Sequence, residues 1–419
     1  MSTRPALLDV LRARAMLHQH SDGLAGHLAH GPVVAYCGFD PTAPSLHVGN
    51  LVPAMGLLRI AEAGHRVIAL VGGGTALIGD PSGKSTERPL LSQDDVAANA
   101  AAIGAQLRRV LGDRVTMADN AEWLRPLGLV EFLRDIGKHF PVNQMLAKDT
   151  VKSRLETGIS FTEFSYMLLQ AYDYLQLHTR HGVTLQIGGS DQWGNITAGT
   201  ELIRRSAGGE AHAVTFPLLT MAGGRKFGKT EDGSVWLDPT RTSPYEFYQF
   251  WINTDDADVG RLLRIFTMLP DDEIAQLERD HAAAPHARVA QRALALDVTK
   301  RVHSAADAAA ARAASDIVFD KQADPTRIDD SVYTMLAANV PSVRRTADAL
   351  GVAEVLEAAF EVSRSQARKL VAQGGVSANA LKLTPDAASL DMATAVRGRW
   401  FLLRKGGRDI AIVEIVPEP

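Results

Sequence analysis

A strand–helix–strand pattern near the amino terminus constrains the fold more than any other feature of the chain. Residues 33–37 form a short apolar run that ends at Gly38, and residues 67–71 form a second run that ends in three glycines. Residues 47–63, between them, carry apolar side chains at helical spacing. Such a unit predicts a parallel sheet with a right-handed crossover. In these sheets ligands bind beyond the carboxyl ends of the strands, which here means residues 36–40 and 72–80.

The remaining chain is predicted to be α/β at first and mostly helical later. Residues 185–187 favour a further strand, followed by a helix that continues to Arg205. Ser243 and Pro244 are typical of a helix start, and residues 281–314 have a helical composition. Residues 320–330 are polar and are the best linker candidate. A small module with helices first and strands at about 400–403 and 410–413 follows.

Composition excludes several classes of protein. A length of 419 residues suggests roughly two to four domains. A single cysteine, Cys37, excludes an intrachain disulfide and a cysteine-rich zinc site. The first 24 residues lack the apolar core of a signal peptide, and no run reaches the roughly 20 apolar residues of a membrane span. We therefore expect a soluble cytoplasmic protein. The net charge of −4 argues against a uniformly basic nucleic-acid coat protein.

Residues 40–50 are a candidate anion site. Asp40 and Thr42 flank a proline, and His47 and Asn50 then begin a helix, one turn apart. Exposed donors at a helix N-terminus suit a phosphate group. The alternative is an ordinary helix start that polar side chains cap.

Residues 79–85 are similar to a phosphate-binding P-loop. That motif requires a glycine five residues before Gly83, and the residue there is Ile78. We therefore reject a P-loop and interpret the segment as a loop that offers Lys84 and Arg88 to phosphate charge.

Helix 161–177 carries an unusual polar stripe. Tyr166, Gln170 and Asp173 share one face, which contains no lysine or arginine. A solvated helix face is the alternative, but hydrogen-bonding groups without a cation are more typical of a pocket wall.

Two basic segments are candidates for binding phosphates. Lys226, Lys229 and Thr230 lie in a glycine-flanked loop that can fold over a polyphosphate. Arg364, Arg368 and Lys369 form a basic helix face, in a window (362–408) with nine basic and two acidic residues. Each could instead be merely solvated.

Together these segments resemble one family, the bacterial tyrosyl-tRNA synthetases of class I, across essentially the whole chain. The matching blocks are 36–42 (YCGFDPT), 46–50 (LHVGN, the family's HIGH signature), 77–84 (LIGDPSGK), 158–166 (GISFTEFSY), 186–195 (QIGGSDQWGN) and 226–230 (KFGKT, the KMSKS-type loop). One residue departs from the signature. Asn50 replaces its second histidine, so it can donate a hydrogen bond but cannot be cationic.

The resemblance implies activation of tyrosine with ATP, followed by transfer to tRNA(Tyr). The implied tyrosine site is Tyr36, Asp80, Tyr166, Gln170, Asp173 and Gln192. The implied ATP site is Gly38, Asp40, Thr42, His47, Asn50, Gly189, Asp191 and Lys229. The catalytic residues implied are His47, Asn50, Lys84, Arg88, Lys226, Lys229 and Thr230, and the tRNA contacts are Lys148, Arg204, Arg205, Arg364, Arg368 and Lys369.

The resemblance also implies an organisation and a set of partners. We expect a Rossmann-like catalytic domain at 1–222 with a dimer-interface insertion at about 120–162, a helical domain at 223–320, a linker at 321–345, and an α+β RNA-binding domain at 346–419. ATP is expected as a substrate with magnesium, without a protein-bound metal or a tightly bound cofactor, in a homodimer. The alternatives are a tryptophanyl-tRNA synthetase, a small-molecule nucleotidyltransferase, and a synthetase-like RNA-binding protein without catalysis.

Overall fold

The computed structural model describes residues 6–82, 90–152, 158–222, 224, 227–230, 233–320, 323–407 and 409–417, with the side chains of 149, 150, 229 and 230 left out. The chain packs into two units. The first comprises Met1–Arg241 with Thr254–Leu294, and the second Thr242–Asn253 with Ala295–Pro419.

The described helices are α1 (Leu7–Ala13), α2 (Leu24–Ala29), α3 (Leu51–Glu62), α4 (Gln93–Leu111), α5 (Ala121–Leu124), α6 (Leu129–Asp135), α7 (Val142–Leu146), α8 (Asp149–Lys152), α9 (Phe161–His181), α10 (Trp193–Ala207), α11 (Pro244–Ile252), α12 (Asp256–Phe266), α13 (Asp271–Ala283), α14 (Val289–Val302), α15 (Ala305–Phe319), α16 (Asp330–Asn339), α17 (Val352–Phe360) and α18 (Arg364–Ala372). No described helix is both long and apolar enough to cross a bilayer.

The described strands are β1 (Gln19–His20), β2 (Val34–Phe39), β3 (Arg66–Val71), β4 (Thr116–Asp119), β5 (Val183–Gly189), β6 (His212–Phe216), β7 (Lys229–Thr230), β8 (Gly233–Ser234), β9 (Ser342–Arg345), β10 (Val376–Ala378), β11 (Leu381–Lys382), β12 (Trp400–Lys405) and β13 (Asp409–Ile415). They form a six-stranded sheet, a five-stranded sheet and a small hairpin of β7 with β8.

The first unit contains the predicted parallel sheet. Its strand order is β1-β6-β5-β2-β3-β4, and all neighbours pair in parallel except β1 with β6. β2 and β3 are the predicted strands, and α3 connects them after a 3₁₀ turn at Val48–Asn50. Both strands are apolar almost throughout because they lie at the centre of the sheet and are buried. The carboxyl ends of β2, β3, β4 and β5 therefore meet at one edge.

The second unit combines helices with an antiparallel sheet of order β11-β10-β12-β13-β9, in which only β9 pairs in parallel. α11 begins as predicted, with Ser243 as its N-cap and Pro244 in its first turn. Residues 281–314, predicted to be helical from their composition, contain the end of α13, all of α14 and most of α15.

Two predicted boundaries differ from the structure. Residues 223–320 do not form a unit of their own, because α12 packs against α3 in the first unit while α11 packs against α15 in the second. The prediction of a linker is wrong for residues 325–345, which hold α16 and β9. Val332, Tyr333 and Leu336 put an apolar stripe on α16, and the ring of Tyr333 stacks on Trp400 at 5.5 Å.

Candidate active site

A cavity of about 440 Å³ lies at the carboxyl edge of the parallel sheet. Ligand pockets in proteins typically measure about 300–1,000 Å³. The cavity is lined by most of the predicted tyrosine and ATP residues: Tyr36, Gly38, Asp40, Thr42, His47, Asn50, Asp80, Tyr166, Gln170, Asp173, Gly189 and Gln192. The structure thus brings together side chains from four separate segments of the sequence.

Asp173 is the most deeply buried carboxyl group in this cavity. Its side chain is held by two donors, since Nδ2 of Asn120 donates to Oδ2 at 2.8 Å and Nε1 of Trp123 donates to Oδ1 at 2.7 Å. Burial raises the pKa of Asp173 to about 8, although both donors act in the opposite direction. The carboxyl group is therefore held in one orientation in a poorly solvated environment.

Tyr36 supplies a second polar group to this part of the cavity. Its hydroxyl is buried and has no hydrogen-bond partner among the described residues. Burial first, and then the charge of Asp173, raises the pKa of Tyr36 well above its usual value, so the hydroxyl keeps its proton. A buried hydroxyl without a partner costs free energy, and a ligand that carries a hydroxyl can supply the missing bond.

A chain of hydrogen bonds connects Asp173 to Asp40. Asn120 also donates to Oγ1 of Thr75 at 2.9 Å, and that hydroxyl donates to Oδ1 of Asp40 at 2.7 Å. The hydroxyl of Tyr166 donates to Oδ2 of Asp40 at 2.7 Å. Burial, and then the charge of Asp40, raises the pKa of Tyr166. Tyr166 thus contacts a residue that the sequence assigned to the ATP site.

Asn195 organises the opposite side of the polar stripe. Its Nδ2 atom lies 3.1 Å from Oε1 of Gln170, 3.3 Å from Oε1 of Gln192 and 3.5 Å from Oδ1 of Asp80. Nε2 of Gln192 donates to Oδ2 of Asp80 at 2.7 Å. These contacts fix the three side chains relative to one another.

Sequence reasoning missed four of these residues: Thr75, Asn120, Trp123 and Asn195. Asn120 directly follows β4, a strand too polar to be recognised from an apolar run. Asn195 stands one helical turn after Gln192, inside a block that was recognised. The spacing from Gln192 is the sequence signal that could have identified Asn195 as a site residue, whereas no sequence signal pointed to Trp123.

His47 and Asn50 cap their own helix start as well as line the cavity. The backbone N–H of His47 donates to Oδ1 of Asn50 at 3.0 Å, and that of Gly49 donates to Nδ1 of His47 at 3.0 Å. The interpretation as a capped helix start is therefore confirmed, and the anion site stays a prediction. Because Nδ1 accepts, the neutral ring carries its proton on Nε2, which is a donor.

The KMSKS-type loop lies against the start of this helix. The backbone N–H of Val48 donates to the carbonyl of Val235 at 3.0 Å, and that of Val235 donates to Gly228 at 3.1 Å. Gly228 has a φ of +79°, and a Cβ there would lie 2.5 Å from Cγ2 of Val48. The segment is thus anchored next to the predicted phosphate site.

Some predicted residues are not placed in the cavity. Lys84, Arg88 and Lys226 lie outside the described residues, and only the backbone of Lys229 and Thr230 is described. Asp191 does not line the cavity, although its Oδ1 approaches the backbone of Gly189. Burial, and then the charge of Asp80, raises the pKa of Asp191.

The residues predicted to contact tRNA differ in whether their positive charges already pair with carboxylates of the same chain. Nζ of Lys148 donates to Thr197 at 3.3 Å. Arg204 and Arg205 both pair with Glu201, and Arg364 pairs with Glu354 and Glu357. Arg368 and Lys369 are exposed on α18.

Comparison with known proteins shows the family. Residues 28–320 match the profile of class I tRNA synthetases (W and Y), and residues 333–413 match the C-terminal domain of SYY-like tyrosine–tRNA ligases. A tyrosine–tRNA ligase from Anaeromyxobacter dehalogenans is 49% identical over 417 residues, which are 98% of this chain and 99% of that protein. The chain belongs to the tyrosine–tRNA ligase family. The enzyme is therefore a class I ligase with the Rossmann-like fold expected from its sequence.

Two further relatives support this family. A tyrosine–tRNA ligase from Roseiflexus castenholzii is 49% identical over 98% of this chain and 99% of its own length. The crystal structure of a C-terminally truncated mitochondrial tyrosyl-tRNA synthetase from Aspergillus nidulans is 33% identical, with a TM-score of 0.67 over 74% of this ligase and 93% of that chain. The C-terminal match and the identity of these relatives favour tyrosine over tryptophan.

Proposed function

We propose that the cavity binds L-tyrosine with its phenol at Tyr36 and Asp173, and activates it with ATP. The observation that carries this assignment is the buried Tyr36 hydroxyl, which has no partner among the described residues and lies near a carboxyl group that Asn120 and Trp123 orient. A phenol hydroxyl can donate to Asp173 and accept from Tyr36 at once.

This arrangement is expected to reject phenylalanine. A phenyl ring fills the same volume but leaves both buried polar groups without a partner. Tyrosyl enzymes are the standard example of this effect, at about 10⁵-fold discrimination without editing.

The other end of the amino acid carries an ammonium and a carboxylate. Asp80 and Gln170, which Asn195 holds in place, are proposed to bind the ammonium together with Tyr166. Gln192 is proposed to lie near the carboxylate. That carboxylate attacks the α-phosphorus of ATP, a bond to the leaving pyrophosphate breaks, and tyrosyl-adenylate forms.

No enzyme nucleophile is needed, so catalysis consists of positioning and charge stabilisation. Gly38 and Gly189 allow the nucleotide to approach the backbone, and Nε2–H of His47 donates to a phosphate oxygen. Asn50, Lys84, Arg88, Lys226, Lys229 and Thr230 are proposed to stabilise the pyrophosphate. A hydroxyl of the terminal adenosine of tRNA(Tyr) then attacks the tyrosyl carbonyl, and AMP leaves.

Magnesium is proposed to arrive with ATP rather than to be held by the protein. Among the described residues, no group of three His, Cys, Asp or Glu side chains with converging ligand atoms lies in the cavity. Mg²⁺ commonly keeps several waters and binds through substrate phosphates.

The decisive experiment is ATP–pyrophosphate exchange with each amino acid. We expect exchange that depends on L-tyrosine and is lost in Asp173→Ala. Equal exchange with tryptophan would instead favour the tryptophanyl alternative, and no exchange with any amino acid would favour an RNA-binding protein. Selectivity for tyrosine over phenylalanine that survives in Asp173→Ala would refute the phenol assignment. Thr334→Ala, on an exposed face of α16, is a control that leaves the cavity intact.

A homodimer in the cytoplasm is also proposed. Six large apolar side chains between residues 120 and 162 are exposed: Leu129, Val130, Leu133, Val142, Leu146 and Phe161. Exposed apolar groups concentrated in one segment are typical of an interaction surface. They support the expectation that this insertion forms the interface between two copies.

A further inference from the structure

A cluster of two histidines and a glutamate lies outside the cavity, at the start of β6 in the six-stranded sheet. His27 belongs to α2, His212 is the first residue of β6, and Glu210 precedes it by two positions. Residues two apart in an extended segment point to the same side, which accounts for the pairing of Glu210 with His212. None of the three lines the candidate active site.

Three ligand atoms converge in this cluster. One atom from each residue lies within 4.8 Å of the other two, and Nε2 of His212 is 3.3 Å from Oε1 of Glu210. Around a tetrahedral zinc ion, with bonds of about 2.0–2.2 Å, neighbouring ligand atoms lie about 3.3–3.5 Å apart. The contact between His212 and Glu210 already has that length. The side chain of Glu210 is 71% exposed, so it can rotate toward the two imidazole rings.

His212 is the unusual member of the cluster. It is only 2% exposed, and its Nε2 atom makes no well-formed hydrogen bond among the described residues, although it lies 3.3 Å from Oε1 of Glu210. A buried ring nitrogen in this condition costs free energy unless something binds it. Since Nε2 faces a carboxylate, a cation between the two groups would satisfy both.

Hydroxyl groups orient both imidazole rings. Nδ1 of His212 lies 3.2 Å from Oγ of Ser21, and Nε2 of His27 lies 2.9 Å from Oγ1 of Thr184. Histidine ligands of metals almost always use their second nitrogen in such a bond, which fixes the tautomer and the ring orientation.

We propose that His27, Glu210 and His212 bind a divalent transition-metal ion, with Zn²⁺ the ion that the ligand set fits best. Two imidazoles and one carboxylate are a ligand set that zinc accepts, and water would complete a tetrahedron. The ion would connect α2 and the segment before β6, which are far apart in sequence. The proposal is independent of the aminoacylation chemistry, because no residue of the cavity takes part.

The test is zinc binding to the full-length protein after chelator treatment, measured by equilibrium dialysis with elemental analysis. We expect about one Zn²⁺ per chain, and a dissociation constant that rises about tenfold or more in Glu210→Gln and His27→Gln. His30→Gln, an exposed histidine at the end of the same helix, is the matched control and should bind as the unmodified chain does.

A second measurement distinguishes loss of the metal site from misfolding of the variant. At one fixed Zn²⁺ concentration, thermal unfolding should shift to a higher temperature in the unmodified chain and in His30→Gln, and should shift by clearly less in Glu210→Gln. Glu210 is exposed, so this variant is expected to fold even if substitution of the buried His212 does not. Absence of zinc binding, or equal affinity in Glu210→Gln and the unmodified chain, would overturn the proposal.

Discussion

Replacement of Trp123 by phenylalanine tests the orientation of Asp173 most directly. The substitution keeps an aromatic ring in a site that is 3% exposed, but removes the indole N–H that donates to Oδ1 of Asp173 at 2.7 Å. A hydrogen bond to a charged group contributes about 1.5–3 kcal/mol. We therefore expect kcat/KM for tyrosine activation at pH 7 to fall by about 10- to 150-fold.

The same loss has a predictable pH dependence. The N–H of Trp123 lowers the pKa of Asp173, which burial has raised to about 8. Its removal takes away one of the two donors that stabilise the carboxylate, so it raises that pKa further. If the carboxylate is the form that accepts the phenol, the acid limb of the pH profile moves upward. The deficit of the variant should then be largest near pH 7 and shrink above pH 9.

The assay is ATP–pyrophosphate exchange at several tyrosine concentrations between pH 6.5 and 9.5. Trp251→Phe is the control, because Trp251 is fully buried but does not line the cavity. A Trp123→Phe enzyme that stays within about twofold of the unmodified enzyme across this range would refute the role of the indole N–H.

Three further outcomes are expected. Gly228→Ala should slow exchange about tenfold or more, because the new Cβ would lie 2.5 Å from Val48. Gly224→Ala, with a φ of +74° but open space around it, should cost only about 1 kcal/mol of stability. Equal exchange rates in the two variants would contradict the anchoring of the loop. Lys369→Glu should leave ATP–pyrophosphate exchange unchanged. It should lower the salt dependence of tRNA binding by the amount expected for the loss of about one phosphate contact, measured by filter binding at several salt concentrations. Leu133→Asp should give a monomer in sedimentation velocity, and a persistent dimer would place the interface elsewhere.

The central sheet and much of the cavity followed from local patterns. β2 and β3 are continuous apolar runs that end at glycines, and the stripe of Tyr166, Gln170 and Asp173 depends only on helical spacing. Such patterns need no knowledge of distant residues, so they are readable in one sequence.

The donors to Asp173 could not be found in this way. Asn120 and Trp123 lie about 50 positions earlier, next to a short strand with no buried residue, and only tertiary packing brings them to α9. The error over 325–345 has a related cause. α16 has only ten residues. The polar residues on either side of it mask its apolar stripe of Val332, Tyr333 and Leu336, so composition alone predicts a linker there.

The discontinuous second unit has a consequence for synthesis on the ribosome. α11 is made about 50 residues before α15 and about 80 before α16, yet its Tyr245 shares a core with Leu336 and Trp400. At about 5–20 residues per second, this helix waits several seconds or longer for its partners. Its five aromatic residues lack these later partners throughout that interval, because the intervening segment joins the other unit. The nascent chain therefore offers chaperones a defined aromatic target that disappears once translation is complete.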